Sequence, residues 1–377
     1  MIIANGTLFC DDGIFRKTNI ETQGAVITGI GDNLTCQNHE VFDAEGCYVV
    51  PGLVDIHIHG AAGADFCDGT PKAVNEIARF LLSCGVTSFL GTSMTLPEEQ
   101  LHDIYKTMHP LVGAEYPGQA VLRGIYMEGP FFSQERRGAQ NAAYIIEPDF
   151  SMFSRLFEVS GRNIRVVAVA PEVAGGLEFV QLAASLCSVT LGHSTGDYST
   201  ASRAFSLGAN LVTHLFNGMA PFNHREPGIV GAAFDSGAFV EIISDGIHLH
   251  PSVVRAAFKL FGDDRICLVS DAMSACGMAS GQYVLGGQSV TVAGRSATIA
   301  SGSLAGSVTT LSDCLRLAVE FGVALPGALK AATINPALAA GLDTEVGSLS
   351  IGKRADIIVL GRDLSLRKVV FGGKLIS

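Results

Sequence analysis

The stretch VVPGLVDIHIHG, residues 49–60, decides the fold. An apolar run ends in two histidines one residue apart, and in an extended chain residues two apart face the same side. His57 and His59 therefore project together as neighbouring imidazoles at a strand's carboxyl end. Alone, such a pair is as often two ordinary polar residues as a pair of ligands.

Downstream, short β-rich runs alternate with helical stretches, the pattern of βα units and a parallel sheet. Eight strands are expected, at Val49 to Ile58, Thr87 to Thr92, Leu122 to Met127, Arg165 to Val169, Ser188 to Gly192, Leu211 to Thr213, Phe239 to Ser244 and Ile266 to Ser270. Helices are expected at Pro71 to Ser83, Leu177 to Leu186 and Pro251 to Phe261, two of them with proline in the first turn, where it is tolerated.

The polar residues favour a closed barrel over a doubly wound sheet. His57 and His59, Glu128, His193, His214 and Asp271 follow the first, third, fifth, sixth and eighth strands. Only a barrel gathers those ends at one mouth. Singly, Glu128 before a Gly-Pro turn or a lone histidine after a strand is unremarkable. Four of ten histidines and two carboxylates on successive strand ends form the mixed nitrogen and oxygen donor set that a divalent ion takes.

The expected fold is thus α/β, a (β/α)8 TIM-like barrel over residues 49–345. A small β-sandwich is expected from both chain termini, residues 1–48 plus 346–377, where short alternating runs are separated by Asn-Gly, Asp-Gly and Gly-Asp turns. Residues 272–302, rich in Gly and Ser, read as a hairpin insertion or mobile loop near the mouth.

Composition narrows the function. A formal net charge of −11 argues against nucleic acid as the partner, while leaving room for a small anion. The hydrophobic fraction is 48%, but it comes in short interrupted runs, as buried parallel strands require, so no membrane partner is expected. Nine cysteines are scattered singly with no C-x-x-C pair, which argues against a disulfide framework and for a reducing compartment. The first residues lack the features of a signal peptide, and the reading is cytoplasmic.

H-x-H after strand one, single histidines after strands five and six, and aspartate after strand eight resemble the amidohydrolase superfamily. A narrower resemblance, to the N-acetylglucosamine-6-phosphate deacetylase family within it, rests on blocks in order. These are residues 51–60, Met127 to Phe131, Gly192 to Ser194, His214 to Met219, Arg225 to Gly228, Asp245 to His248 and Ser270 to Ala272, with the Gly347 to Leu360 return strand also fitting. Relatives of the dihydroorotase type bridge two metals with a carboxylated lysine after strand four. Here no lysine lies between Lys106 and Lys259, and Glu128 is left to supply the carboxylate.

The resemblance implies a hydrolase of a linear amide bond that releases acetate and glucosamine 6-phosphate. It implies one or two divalent metals per subunit, zinc first, with iron, manganese or cobalt as alternatives. Glu128, His193 and His214 would hold the principal ion and Asp271 would be the catalytic base. His57 and His59 leave room for a second ion that Glu128 bridges and Asp271 joins.

Ala139, Asn217, Gly218, Arg225, His248, Leu304, Ala305 and Gly306 would bind the phosphorylated amino sugar. Arg225 would reach the site of a neighbouring subunit in a homodimer. Gly218 departs from the family, where alanine is more usual. Two rival readings are a deacylase for N-acetylgalactosamine 6-phosphate or another N-acyl substrate, and a non-catalytic sugar-phosphate-binding barrel.

Overall fold

The computed structural model describes residues 1–32, 34 and 40–376; Cys36, one of the nine cysteines, lies outside them. Eight parallel strands form one sheet in chain order: β1 (Leu53–Ile58), β2 (Val86–Ser93), β3 (Val121–Met127), β4 (Ile164–Val169), β5 (Ser188–Leu191), β6 (Leu211–Val212), β7 (Phe239–Ile242) and β8 (Ile266–Leu268). This is the expected TIM-like barrel. Its seam lies between β1 and the residues following β8. There Asp271 N–H donates to His57 O at 2.9 Å, His59 N–H donates to Ala272 O at 2.9 Å, and the Asp55 carboxylate accepts from Ser270 N–H at 3.3 Å.

Two physical reasons make several strands shorter than the sequence suggests, while β2, β3 and β4 begin a residue earlier than expected. The run from Val49 breaks at Gly52, whose missing side chain lets Thr87 approach: a Cβ there would lie 2.2 Å from Thr87 Oγ1. Tyr48–Pro51 consequently leaves the barrel and pairs antiparallel with Ile357–Leu360 and parallel with Thr7–Phe9. At the other ends the backbone turns sharply. His193, His214 and Asp271 have φ of +47°, +25° and +45°, a region that non-glycine residues seldom adopt and that ends strand pairing.

The termini build two sheets. A six-stranded sheet runs in the order Lys374–Ile376, Leu366–Phe371, Ile357–Leu360, Tyr48–Pro51, Thr7–Phe9, Phe15–Lys17. A four-stranded sheet runs Val26–Ile30, Ile20–Gln23, Ile2–Ala4, Val41–Asp43. Ile3, Leu8, Ile20, Ile27, Val49, Ile357 and Val370 form the apolar layer between them, the packing of a sandwich.

The helices follow the sequence signals. Pro71–Ser83 and Pro251–Phe261 form as expected, with Thr70 Oγ1 accepting from Ala73 N–H and His250 accepting from Ser252 N–H as N-caps. Leu177 to Leu186 is shorter than expected, Gly176–Ala183. Inside the barrel, Val54, Ile56, Leu90, Val166, Ala168 and Leu211 fill the lower half, and Ala337, Ala340 and Leu342 close it beneath. The six candidate site residues lie at the opposite, carboxyl ends of the strands, while Arg123 and Ser88 are buried polar residues near the amino ends of β3 and β2. Residues 272–302 contain a three-stranded meander, Gly281–Leu285, Gln288–Ala293 and Ser296–Ile299, packed on Met94, Ala139 and Met273. The hairpin reading of this segment is the one that forms. No described helix is long and apolar enough to cross a membrane.

Candidate metal centre

The six strand-end residues meet at the floor of one cleft. Glu128, following β3, is at the centre. Its Oε1 lies 3.1 Å from His193 Nε2, 3.1 Å from His214 Nε2 and 3.7 Å from His57 Nε2. Its Oε2 lies 3.3 Å from His59 Nε2. Asp271 Oδ1 completes the ring at 3.2 Å from His59 Nε2 and 3.6 Å from His57 Nε2. Two triplets can each hold an ion, His57 with His59 and Glu128, and Glu128 with His193 and His214; within each, the ligand atoms lie within 4.8 Å of one another. Glu128 belongs to both.

The hydrogen-bond pattern fixes how the four rings are oriented. Each histidine engages its outer nitrogen with an acceptor: His193 Nδ1 with Arg136 O at 2.9 Å, His214 Nδ1 with Asn217 O at 3.2 Å, His59 Nδ1 with Thr92 O at 3.3 Å, and His57 Nδ1 with a Glu241 carboxylate oxygen at 2.8 Å. Those acceptors assign a proton to each Nδ1 and leave every Nε2 as the atom that turns to the centre of the cage. His193 Nε2 and His214 Nε2 face each other at 3.2 Å with the carboxylate between them. Rings and carboxylates so arranged call for positive charge, as protons or as a metal ion. Protons on both rings would set like charges 3.2 Å apart, whereas one divalent ion satisfies all three groups.

Without an ion the surrounding carboxylates draw protons to the rings, and a bound cation would take the place of those on Nε2. Burial works against a charged His57, but Glu241, Asp271 and Glu128 outweigh it and raise its pKa to about 9. Burial likewise opposes ionisation of Glu128, yet His193, His214, His57 and His59 hold it well below the usual carboxylate range. Asp271 is also lowered: burial raises it, and His57, His59 and His214 more than compensate. The carboxylates are ionised and the site attracts positive charge.

Above this floor lies a cleft of about 280 Å³. Ala139, Asn217, Gly218, His248, Leu304 and Gly306 line it, together with Met94, Gly138, Gln140, Leu285 and Ser303. His248 Nδ1 is held by Asp245 Oδ2 at 2.8 Å, which leaves Nε2 for a ligand. Gly306 has a φ of +63°, and a Cβ on it would lie 2.9 Å from Asp271 O. Ser307 N–H donates to that same carbonyl at 2.7 Å, so residues 304–307 run beside the aspartate. Two residues assigned to the sugar pocket stand apart. Ala305 is fully buried in the meander's own core, and Arg225 is exposed outside the cleft.

Two contributors escaped the sequence reading. Glu241 sits in β7 with its side chain wholly buried, and an acidic residue inside FVEI was the signal available for it. Gln140 donates through Nε2 to Glu128 Oε2 at 2.7 Å and accepts from Thr95 N–H at 2.8 Å. No spacing or pattern marks it.

Comparison with known proteins places this geometry. The Amidohydrolase family matches residues 48–376. The chain is 34% identical to N-acetylglucosamine-6-phosphate deacetylase of Lysinibacillus sphaericus, over 100% of this chain and 97% of that protein. It is 37% identical to N-acetylgalactosamine-6-phosphate deacetylase of Escherichia coli O157:H7, over 89% of each. The crystal structure of N-acetyl-D-glucosamine-6-phosphate deacetylase from Mycobacterium smegmatis superposes with a TM-score of 0.93 at 30% identity, covering 100% of both chains.

Proposed function

The chain belongs to the Amidohydrolase family, and from that premise we propose that it hydrolyses N-acetylglucosamine 6-phosphate to glucosamine 6-phosphate and acetate. The observation that carries this reading is the buried cage around Glu128, with four imidazole nitrogens and two carboxylates beneath a cleft of sugar-phosphate size. Such a cage suits a metal-dependent hydrolase better than a silent sugar-binding barrel, which has no use for it.

Glu128, His193 and His214 would hold the principal divalent ion, and His57 and His59 a second one with Glu128 between. Mixed nitrogen and oxygen donors fit zinc first. A bound ion supplies Lewis acidity and brings the ionisation of water toward neutral pH. Asp271, kept ionised by the surrounding imidazoles, takes the proton of the attacking water and returns it to the departing amine nitrogen. His248, fixed by Asp245, orients the sugar. Asn217, Gly218, Ala139 and the Leu304 to Gly306 turn surround it, with Ala305 acting by supporting that turn. Arg225, exposed and clear of its own cleft, is assigned to the phosphate bound by a partner subunit in a homodimer, where a guanidinium makes paired charged hydrogen bonds. A reducing cytoplasm suits the eight described cysteines, all of them unpaired.

The reading is tested by acetate release from three substrates: N-acetylglucosamine 6-phosphate, its galactosamine epimer and unphosphorylated N-acetylglucosamine. The first should give the highest kcat/KM, and loss of the phosphate should lower it about 10- to 100-fold, the worth of hydrogen bonds to a charged group. A preference for the epimer would select the galactosamine reading, which the Escherichia coli relative's name supports. Equal turnover without phosphate would overturn both.

A further inference from the structure

Strand β7 alternates, with Val240 and Ile242 packed in the outer core and Glu241 turned into the barrel. A buried carboxylate in a strand is costly unless something compensates it. Glu241 Oε2 accepts twice, from His57 Nδ1 at 2.8 Å and from the backbone N–H of His214 at 3.1 Å. Its other oxygen is buried and has no partner. His57 Nε2, on the far side of the ring, is likewise buried without a hydrogen-bond partner.

These facts belong to one chain of contacts. A carboxylate that takes the Nδ1 proton fixes the ring tautomer and orientation and makes the opposite nitrogen a better ligand. The same oxygen grips the backbone of His214, a member of the other triplet. Charge points the same way. Glu128, Asp271 and Glu241 are buried carboxylates in contact with the four imidazoles, Asp55 and Asp65 are buried close by, and among the described residues neither lysine nor arginine lines the cleft.

We propose that Glu241 is the positioning residue that commits His57 to metal ligation and joins the two ion positions, so that the chain holds two ions and the first-strand one depends on Glu241. The proposal rests on the reading of His57, His59 and Glu128 as a metal position. It assigns Glu241 no contact with substrate.

The test is metal content by elemental analysis, with the time course of ion release to a chelator, on protein produced in medium supplemented with Co2+. Wild type should carry two ions per chain and release them in two phases. Glu241→Gln, which keeps shape and loses charge, should retain the Glu128, His193, His214 ion with an unchanged slow phase. The other ion should bind about 10- to 100-fold more weakly, the usual effect of losing such a hydrogen-bond partner. A residue that only supported the fold would lower the melting temperature and leave both ions in place.

His59→Asn, which does not touch Glu241, separates the two ways of failing. If it loses one ion while Glu241→Gln keeps two, the role given to Glu241 is wrong. If His59→Asn leaves the metal content unchanged, the first-strand pair is no metal position and the proposal falls with that reading. Should Glu241→Gln not fold, Glu241→Asp, too short to reach both donors, carries the same prediction.

Discussion

At the scale of single residues, the site is held by what surrounds its ligands as much as by the ligands. His57, His59, Glu128, His193, His214 and Asp271 were legible because polar residues at the ends of apolar runs stand out, and a barrel gives those ends one destination. Gln140 was not, because a glutamine in a loop carries no periodicity; its role depends on Thr95 arriving from the loop after β2 and on Glu128 at the start of its own connection. Gln140→Ala removes the 2.7 Å bond that fixes Glu128 Oε2 and should weaken metal affinity about 10- to 100-fold with the fold intact, which a competitive chelator titration checks. Wild-type affinity in that variant would make the contact incidental. Glu241 lies between these cases: a lone acid in an apolar strand is visible, but its partner His57 is 184 positions away.

At the scale of elements, the strand ends are set by backbone geometry that composition does not announce. The expected first strand ran through Gly52 as if continuous, yet its halves belong to different sheets. The sixth and eighth strands end short of their expected bounds, and His214 and Asp271 beyond them take positive φ. Such strained positions cluster where function fixes a side chain. Gly60 shows how little room the mouth allows, since a Cβ there would meet Ala64 O at 2.3 Å and Asp65 Cα at 3.1 Å. Both are backbone atoms with no rotamer to change. Gly60→Ala should cost about 1–3 kcal/mol and displace the adjacent His59, to be read as a fall in denaturation midpoint together with metal loss. In contrast, Thr70→Ala removes only the N-cap of Pro71–Ser83, far in role from the site. It should cost about 1 kcal/mol and leave metal content unchanged.

At the scale of the whole molecule, a largely apolar lower barrel closed from beneath supports an upper barrel crowded with histidines and carboxylates, and on the proposed reading a bound ion would be part of what makes that arrangement stable. Removing metal with a chelator should therefore lower the melting temperature as well as activity. An ion present at 100 times its Kd adds about 2.7 kcal/mol, and re-addition should restore both properties. An unchanged melting temperature would mean that the cage stands without its cation. The general architecture could be read from alternation along the chain, but the mutual approach of His193 and His214 appears only once β5 and β6 lie side by side. The most direct test of the account is acetate release from N-acetylglucosamine 6-phosphate by wild type and Asp271→Asn at matched metal content. The account predicts that the variant keeps its metal and loses about 10²- to 10⁴-fold in kcat, the range for a positioned acid–base group; near-normal turnover in a metal-loaded Asp271→Asn protein would contradict it.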